Sequence, residues 1–180
     1  MVTTLRTAPR ILTSLSALAL SIGALTGCTP EPEPTPTPTA AFASEEEAFT
    51  AAEEVYREYN EAGNARLRGE ETPDPQDFLV GAALEGDIDA ANLLREQGLH
   101  AIGSVRFSSF RGIGFEQTAR DVTINAVVCL DVSDTRVLDS TGNDVTPETR
   151  PDVVAQTVTF VMTSKGMLLS QEDSADEAQC

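Results

Sequence analysis

The chain has 180 residues, with 29 acidic side chains against 12 basic ones and a formal net charge of -17. So acidic a surface is a poor partner for nucleic acid, whose binding depends on Lys and Arg neutralising phosphates. A single histidine, His100, excludes a zinc site built on several.

The first residues read as an address. Arg6 and Arg10 precede an uncharged apolar stretch from Ile11 to Leu25, and small residues follow, which is the pattern of a secretory signal. The stretch is short for a bilayer span, which needs about 20 residues. Leu25-Thr26-Gly27-Cys28 resembles the lipobox of bacterial lipoproteins, in which the Cys is acylated and becomes the first residue after cleavage. The expected organisation is therefore a signal peptide over 1–27, a lipidated Cys28 opening a linker over 28–43, and one domain over 44–180. Cleavage removes two arginines and takes the net charge from -17 to -19. Two or more acyl chains hold a protein stably on a membrane, so the protein is expected on the extracytoplasmic face of the cell membrane. In Thr29–Thr39, alternating prolines favour an extended, solvated polyproline II spacer, roughly 30 Å long at about 3.1 Å per residue.

Helices come next. Ser44-Glu45-Glu46-Glu47 is a capping box, and Phe49, Ala52, Tyr56 and Tyr59 fall on one helical face. Gly63 is the expected end. Asp74-Pro75 opens a second helix through Phe78, Leu79, Ala82 and Ala83 to a break near Gly86. Asp87 then caps a third with Ile88, Ala91, Leu94 and Arg95, closed by Gly98.

From Leu99 the period becomes two. Val105 and Phe107 alternate and Phe110 falls out of phase, which predicts a bulge around Ser108-Ser109. Val122, Ile124, Ala126, Val128, Leu130 and Val132 give the clearest strand, Val158, Phe160 and Met162 another, and Ser164-Lys165-Gly166 turns into Met167-Leu168-Leu169. The turn formers from Asp139 to Asp144 predict a loop or hairpin end. The fold class is α+β, with N-terminal helices packed on a curved antiparallel sheet of about four strands.

With Cys28 acylated, Cys129 and Cys180 remain as an even pair outside the cytoplasm, where disulfides persist. A bridge closing roughly 50 residues contributes about 4 kcal/mol in the chain-entropy model; two free thiols are the alternative. Cys129 has the opposite strand parity to Val128 and Leu130, so a bridge requires the acidic C-terminal segment to fold back over the outer face or an edge of the sheet.

The order of elements resembles the nuclear-transport-factor-2-like, or cystatin-like, cone fold, and is similar to secreted actinobacterial lipoproteins of unknown function. The resemblance rests on the lipobox and Thr-Pro linker, the Phe49-to-Tyr59 helix, the Val127-to-Ser133 strand, the Val137-Leu138-Asp139 loop entry and Cys180, and covers most of residues 42–180. It implies a conical pocket.

Residues that carry chemistry are few. His100, at a strand entry without partners, reads as an edge histidine. Isomerases and dehydratases of related cone folds use a pocket Asp, Tyr or His, for which Tyr56, Tyr59 and Asp77 are the imaginable equivalents here. Asp131, Asp134, Asp139 and Asp144 lack the spacing of a calcium loop and read as a solvated acidic loop. Glu172, Asp173, Asp176 and Glu177 read as a solvated run. Gly112-Ile113-Gly114 lacks the third glycine and the helix of a phosphate-binding loop. No catalytic residue, metal or cofactor is assigned. The expectation is a non-enzymatic interaction or ligand-binding module of the cell envelope, partnered with the membrane through Cys28 and with an envelope protein or small ligand. A small pocket enzyme of isomerase or hydratase type comes second, and a solute-capture lipoprotein third.

Overall fold

The computed structural model describes residues 40–180; the signal, Cys28 and most of the spacer lie outside them. Helix α1 spans Glu45–Leu67 and α2 spans Gly81–Glu96, with a 3-10 turn over Pro75–Phe78 between them. The strands follow: β1 (His100–Ile102), β2 (Arg106–Gln117), β3 (Val122–Asp131), β4 (Arg136–Leu138), β5 (Val153–Thr163) and β6 (Gly166–Ser174). A curved four-stranded antiparallel sheet runs in the order β2-β3-β5-β6, and β1 pairs with β4 in a separate two-stranded sheet. The α+β architecture is the expected one. Among the described residues, no helix is long and apolar enough to cross a membrane.

The start of α1 follows from its capping box. Ser44 Oγ accepts from Glu47 N at 3.1 Å, and Glu47 reaches back to Ala43 N at 2.8 Å. The end does not fall at Gly63. The helix continues to Leu67, and Gly69, at φ +81°, makes the left-handed exit while Glu70 N donates to Ala65 O. Gly63 is tolerated because one glycine inside a helix costs only about 1 kcal/mol, and the turn after it packs: Asn64 and Ala65 are buried.

The two helices expected around Gly86 are one. The interruption lies earlier, at Leu79-Val80, where Leu79 bridges Leu169 and Val80 N donates to Leu169 O at 2.8 Å. This backbone pairing with the edge strand β6 stops the helical path that Asp74-Pro75 begins. Asp87 consequently sits inside α2 and caps nothing.

The inner face of the sheet is the core. Val122, Ile124, Ala126, Val128 and Leu130 of β3, Val158 and Phe160 of β5 and Leu169 of β6 lie beneath Ala48, Ala52 and Tyr56 of α1. Burying a side chain as large as Phe160 or Tyr56 contributes on the order of 1.5–3 kcal/mol.

Three register shifts shape the sheet. One separates Phe107 from Ser109, as the phase of Phe110 predicts; a second lies between Gly112 and Gly114; a third interrupts β6 opposite Thr159 and Phe160. The first two each reverse strand parity, so Phe107, Phe110 and Phe115 all face inward although their spacing alternates wrongly. Ile113 is the residue extruded at the second, and it is 49% exposed.

Gly112 is needed for the approach of α1 to β2. A β-carbon there would lie 2.5 Å from three atoms of the Phe49 ring. Gly112→Ala is expected to destabilise the domain by about 1–3 kcal/mol through overpacking. In urea unfolding, the added substitution Phe49→Ala should make the alanine at 112 nearly neutral, which a backbone effect would not.

Candidate functional site

Beside the packed core, a cleft remains that is open to the surface. A cavity of about 330 Å³ lies between α1, α2 and the inner face of the sheet, walled by Tyr56 and Tyr59 of α1, Ala91 and Leu94 of α2, Val105, and Leu130 of β3. A second, of about 270 Å³, shares Tyr59, Asp87 and Ala90 with the first and reaches Glu172 of β6 along a wall of Ala82, Ala83 and Gly86.

Polar groups enter these cavities at defined points. Gln156 occupies an inner-face position of β5 opposite Val128, and its Oε1 accepts from the Tyr56 hydroxyl at 3.1 Å. The Tyr59 hydroxyl donates to Glu172 Oε2 at 2.9 Å. The two rings meet edge-to-face with centroids 5.6 Å apart, so each orients the other. Asp87 takes Arg66 Nη1 at 2.7 Å and Arg66 Nη2 at 3.1 Å, and Gln76 Nε2 at 3.0 Å; Arg66 Nη2 also reaches Asp74 at 3.3 Å. At the rim, Asn64 clamps the backbone just before β2, its Nδ2 on Val105 O at 2.9 Å and its Oδ1 taking Val105 N at 2.7 Å.

Glu172 is on the inner face because of the third register shift. Met167 and Leu169 point inward at odd positions; beyond Ser170, Glu172 pairs with Val158 and the even positions point inward. Bulges that re-aim a single side chain are common near sites. Burial pushes the Glu172 carboxyl above its ordinary value; the Tyr59 hydrogen bond draws it down and the charge of Asp87 adds to the rise. Burial, with Glu172 close by, also raises both tyrosines.

The residues singled out in the sequence are distributed unevenly. Tyr56 and Tyr59 line the cavity, whereas Asp77 is exposed and Asp87 stands there instead. His100 is exposed at the start of β1. Glu172 does not belong to the solvated run in which its neighbours place it. Asp131 and Asp134 both hold Arg106, and the Ser133 and Arg106 hydrogen bonds lower Asp131 to about 2. Asp139 binds Thr141 and Asn143 within its own loop, and Asp144 binds Thr146 N. Gly112 to Gly114 lie within β2. Cys129 and Cys180 are joined, with Cα atoms 5.7 Å apart. The terminal turn Glu177–Gln179 lies against β5, as strand parity requires of a bridge from Cys129. Sequence reasoning missed Asn64, Arg66, Asp87, Gln156 and Glu172. For Gln156 a signal existed, a polar residue in the apolar phase of Val154, Val158 and Phe160.

No family model and no curated protein matches the sequence. Among solved structures, the intermembrane space region of the chloroplast protein ARC6 is similar over 70% of this chain and 95% of that one, with a TM-score of 0.48 and 15% identity.

A carboxyl whose pKa is raised by folding stabilises the fold while protonated, and that contribution is lost as pH rises through the raised value. Glu172→Gln cannot ionise. It is expected to unfold at higher urea concentration than the parent at pH 7, and the gap should narrow as pH falls below the ordinary Glu value of 4.5. A gap that is constant with pH would show that Glu172 is not held in a desolvated site.

Proposed function

We propose that the protein is a lipid-anchored lipoprotein of the extracytoplasmic face of the cell membrane, with a cone-type domain that binds a small ligand between α1, α2 and the sheet. The observation that carries the ligand-binding part is the cavity of about 330 Å³. Ligand sites are typically concave, mostly apolar, a few hundred Å³ in size, and provided with a few placed polar groups. Tyr56, Tyr59, Gln156, Arg66 and Asp87 are those groups here. The anchor part rests on Leu25-Thr26-Gly27-Cys28 and the spacer after it.

A pocket enzyme of isomerase or hydratase type is the second reading, favoured by one pair. Tyr59 and Glu172 join a hydroxyl to a carboxyl of raised pKa on a cavity wall, a combination suited to proton transfer. Turnover of a substrate that vanishes in Glu172→Gln would put this reading first. The binding reading needs only saturable, non-consumed ligand.

Two measurements test the first reading. In a bacterial host fed labelled palmitate, the parent should take up label and partition with membranes, and Cys28→Ala should do neither; label retained by the variant refutes the anchor. Ala91→Phe should fill the cavity. It is expected to abolish ligand-induced thermal stabilisation while leaving the unliganded melting temperature unchanged or higher. Undiminished ligand response would place binding elsewhere.

A further inference from the structure

We propose that the cleft takes a small organic cation, an ammonium head on a compact apolar body, with Glu172 as the group that receives the charge. The proposal rests on the ligand-binding reading above and adds the chemical class.

The charges around the cleft do not balance. Its guanidinium, Arg66, is engaged by Asp87 and, outside the cleft, by Asp74, so among the lining residues two carboxylates, Asp87 and Glu172, face one cation that is already paired. Asp87 is occupied through both oxygens by Arg66 and Gln76. Glu172 differs. Among the described residues its hydrogen bond is the one from Tyr59 to Oε2, and the carboxylate lines the smaller cavity. A carboxylate in that position repels an anion, gains little from a neutral apolar ligand, and is satisfied by a charged donor.

The walls match the rest of such a ligand. Ala82, Ala83, Gly86 and Ala90 present α2 as a low surface that leaves room beside Glu172. Tyr59 borders both cavities, and an aromatic ring attracts a cation placed over its face. A ligand seated at that shared wall has a carboxylate at its head and carbon around its body. Burial that raises the Glu172 carboxyl is relieved when a cation replaces the lost water. The net charge of -17 adds long-range attraction for cations.

The test compares three probes of nearly one shape, 2-phenylethylamine, 2-phenylethanol and phenylacetate, titrated calorimetrically into the full chain in a non-ionic detergent at 0.15 M salt. The amine is expected to bind about tenfold more tightly than the alcohol, the size of one charge-assisted hydrogen bond, and phenylacetate least. Glu172→Gln should bring the amine to the affinity of the alcohol and leave the alcohol unchanged. Glu58→Gln, which removes the same charge from the exposed face of α1, should leave the amine-to-alcohol ratio intact. Equal binding of amine and alcohol to the parent, or equal effects of the two substitutions, overturns the cationic class while the alcohol still reports a working cavity. Failure of all three probes to bind overturns the cavity reading with it.

Discussion

Everything in the domain is arranged around the contact of one helix with one face of one sheet. Helix α1 presents Ala48, Ala52 and Tyr56 to β3 and β5, and the small residues let the helix lie low on the sheet. At one end Phe49 rests on Gly112, where even a methyl group would collide. At the other, Asn64 grips Val105 through two hydrogen bonds that imitate a strand pairing. Between these two points, Tyr56, Tyr59, Asn60 and Gly63 border the cleft that remains between α1, α2 and the sheet.

The second helix closes that gap only partly. Ala83 is its one buried residue, and Leu93 is 55% exposed. Its position comes from the Leu79–Leu169 pairing at its start and from the Arg66–Asp87 contact across the cleft. An ion pair this accessible contributes little to stability, on the order of 0–1 kcal/mol. Its larger effect is to engage Arg66, the one guanidinium that lines the cavity among the described residues, which leaves Glu172 as the unbalanced charge.

Edges are protected at the other side of the sheet. Strand β6 is an edge strand, covered at Leu169 by the Leu79-Val80 segment. Beyond Ser174, Ala175 N still donates to Ala155 O, and Cys180 is then fastened to Cys129 on the outer face. A bridge across a sequence separation of 51 removes chain entropy from the unfolded state. It also fixes the strand that carries Glu172 a few residues downstream of it.

Much of this was legible in the chain. The apolar alternation of Val122 to Leu130, the phase slip at Phe110, the box at Ser44 and the parity of Cys129 each depend on residues close in sequence, and local geometry translates them directly into strand, bulge, cap and outward-facing thiol. Helix ends were less legible, since Gly63 and Gly86 are weak breakers whose cost of about 1 kcal/mol is smaller than what the packing of adjacent turns returns. Glu172 was not legible at all. It stands among acidic neighbours, and a bulge opposite Thr159 turns it inward without an apolar residue to mark the change of phase. The sequence by itself determined the fold class and the inward face of the strand Val122 to Leu130, and offered Cys129 and Cys180 as a candidate pair, because periodicity encodes which side of an element meets the core; the structure supplied the bridge. Only the tertiary structure decided that a cavity remains and which polar groups enter it, because both depend on distances between elements far apart in the chain.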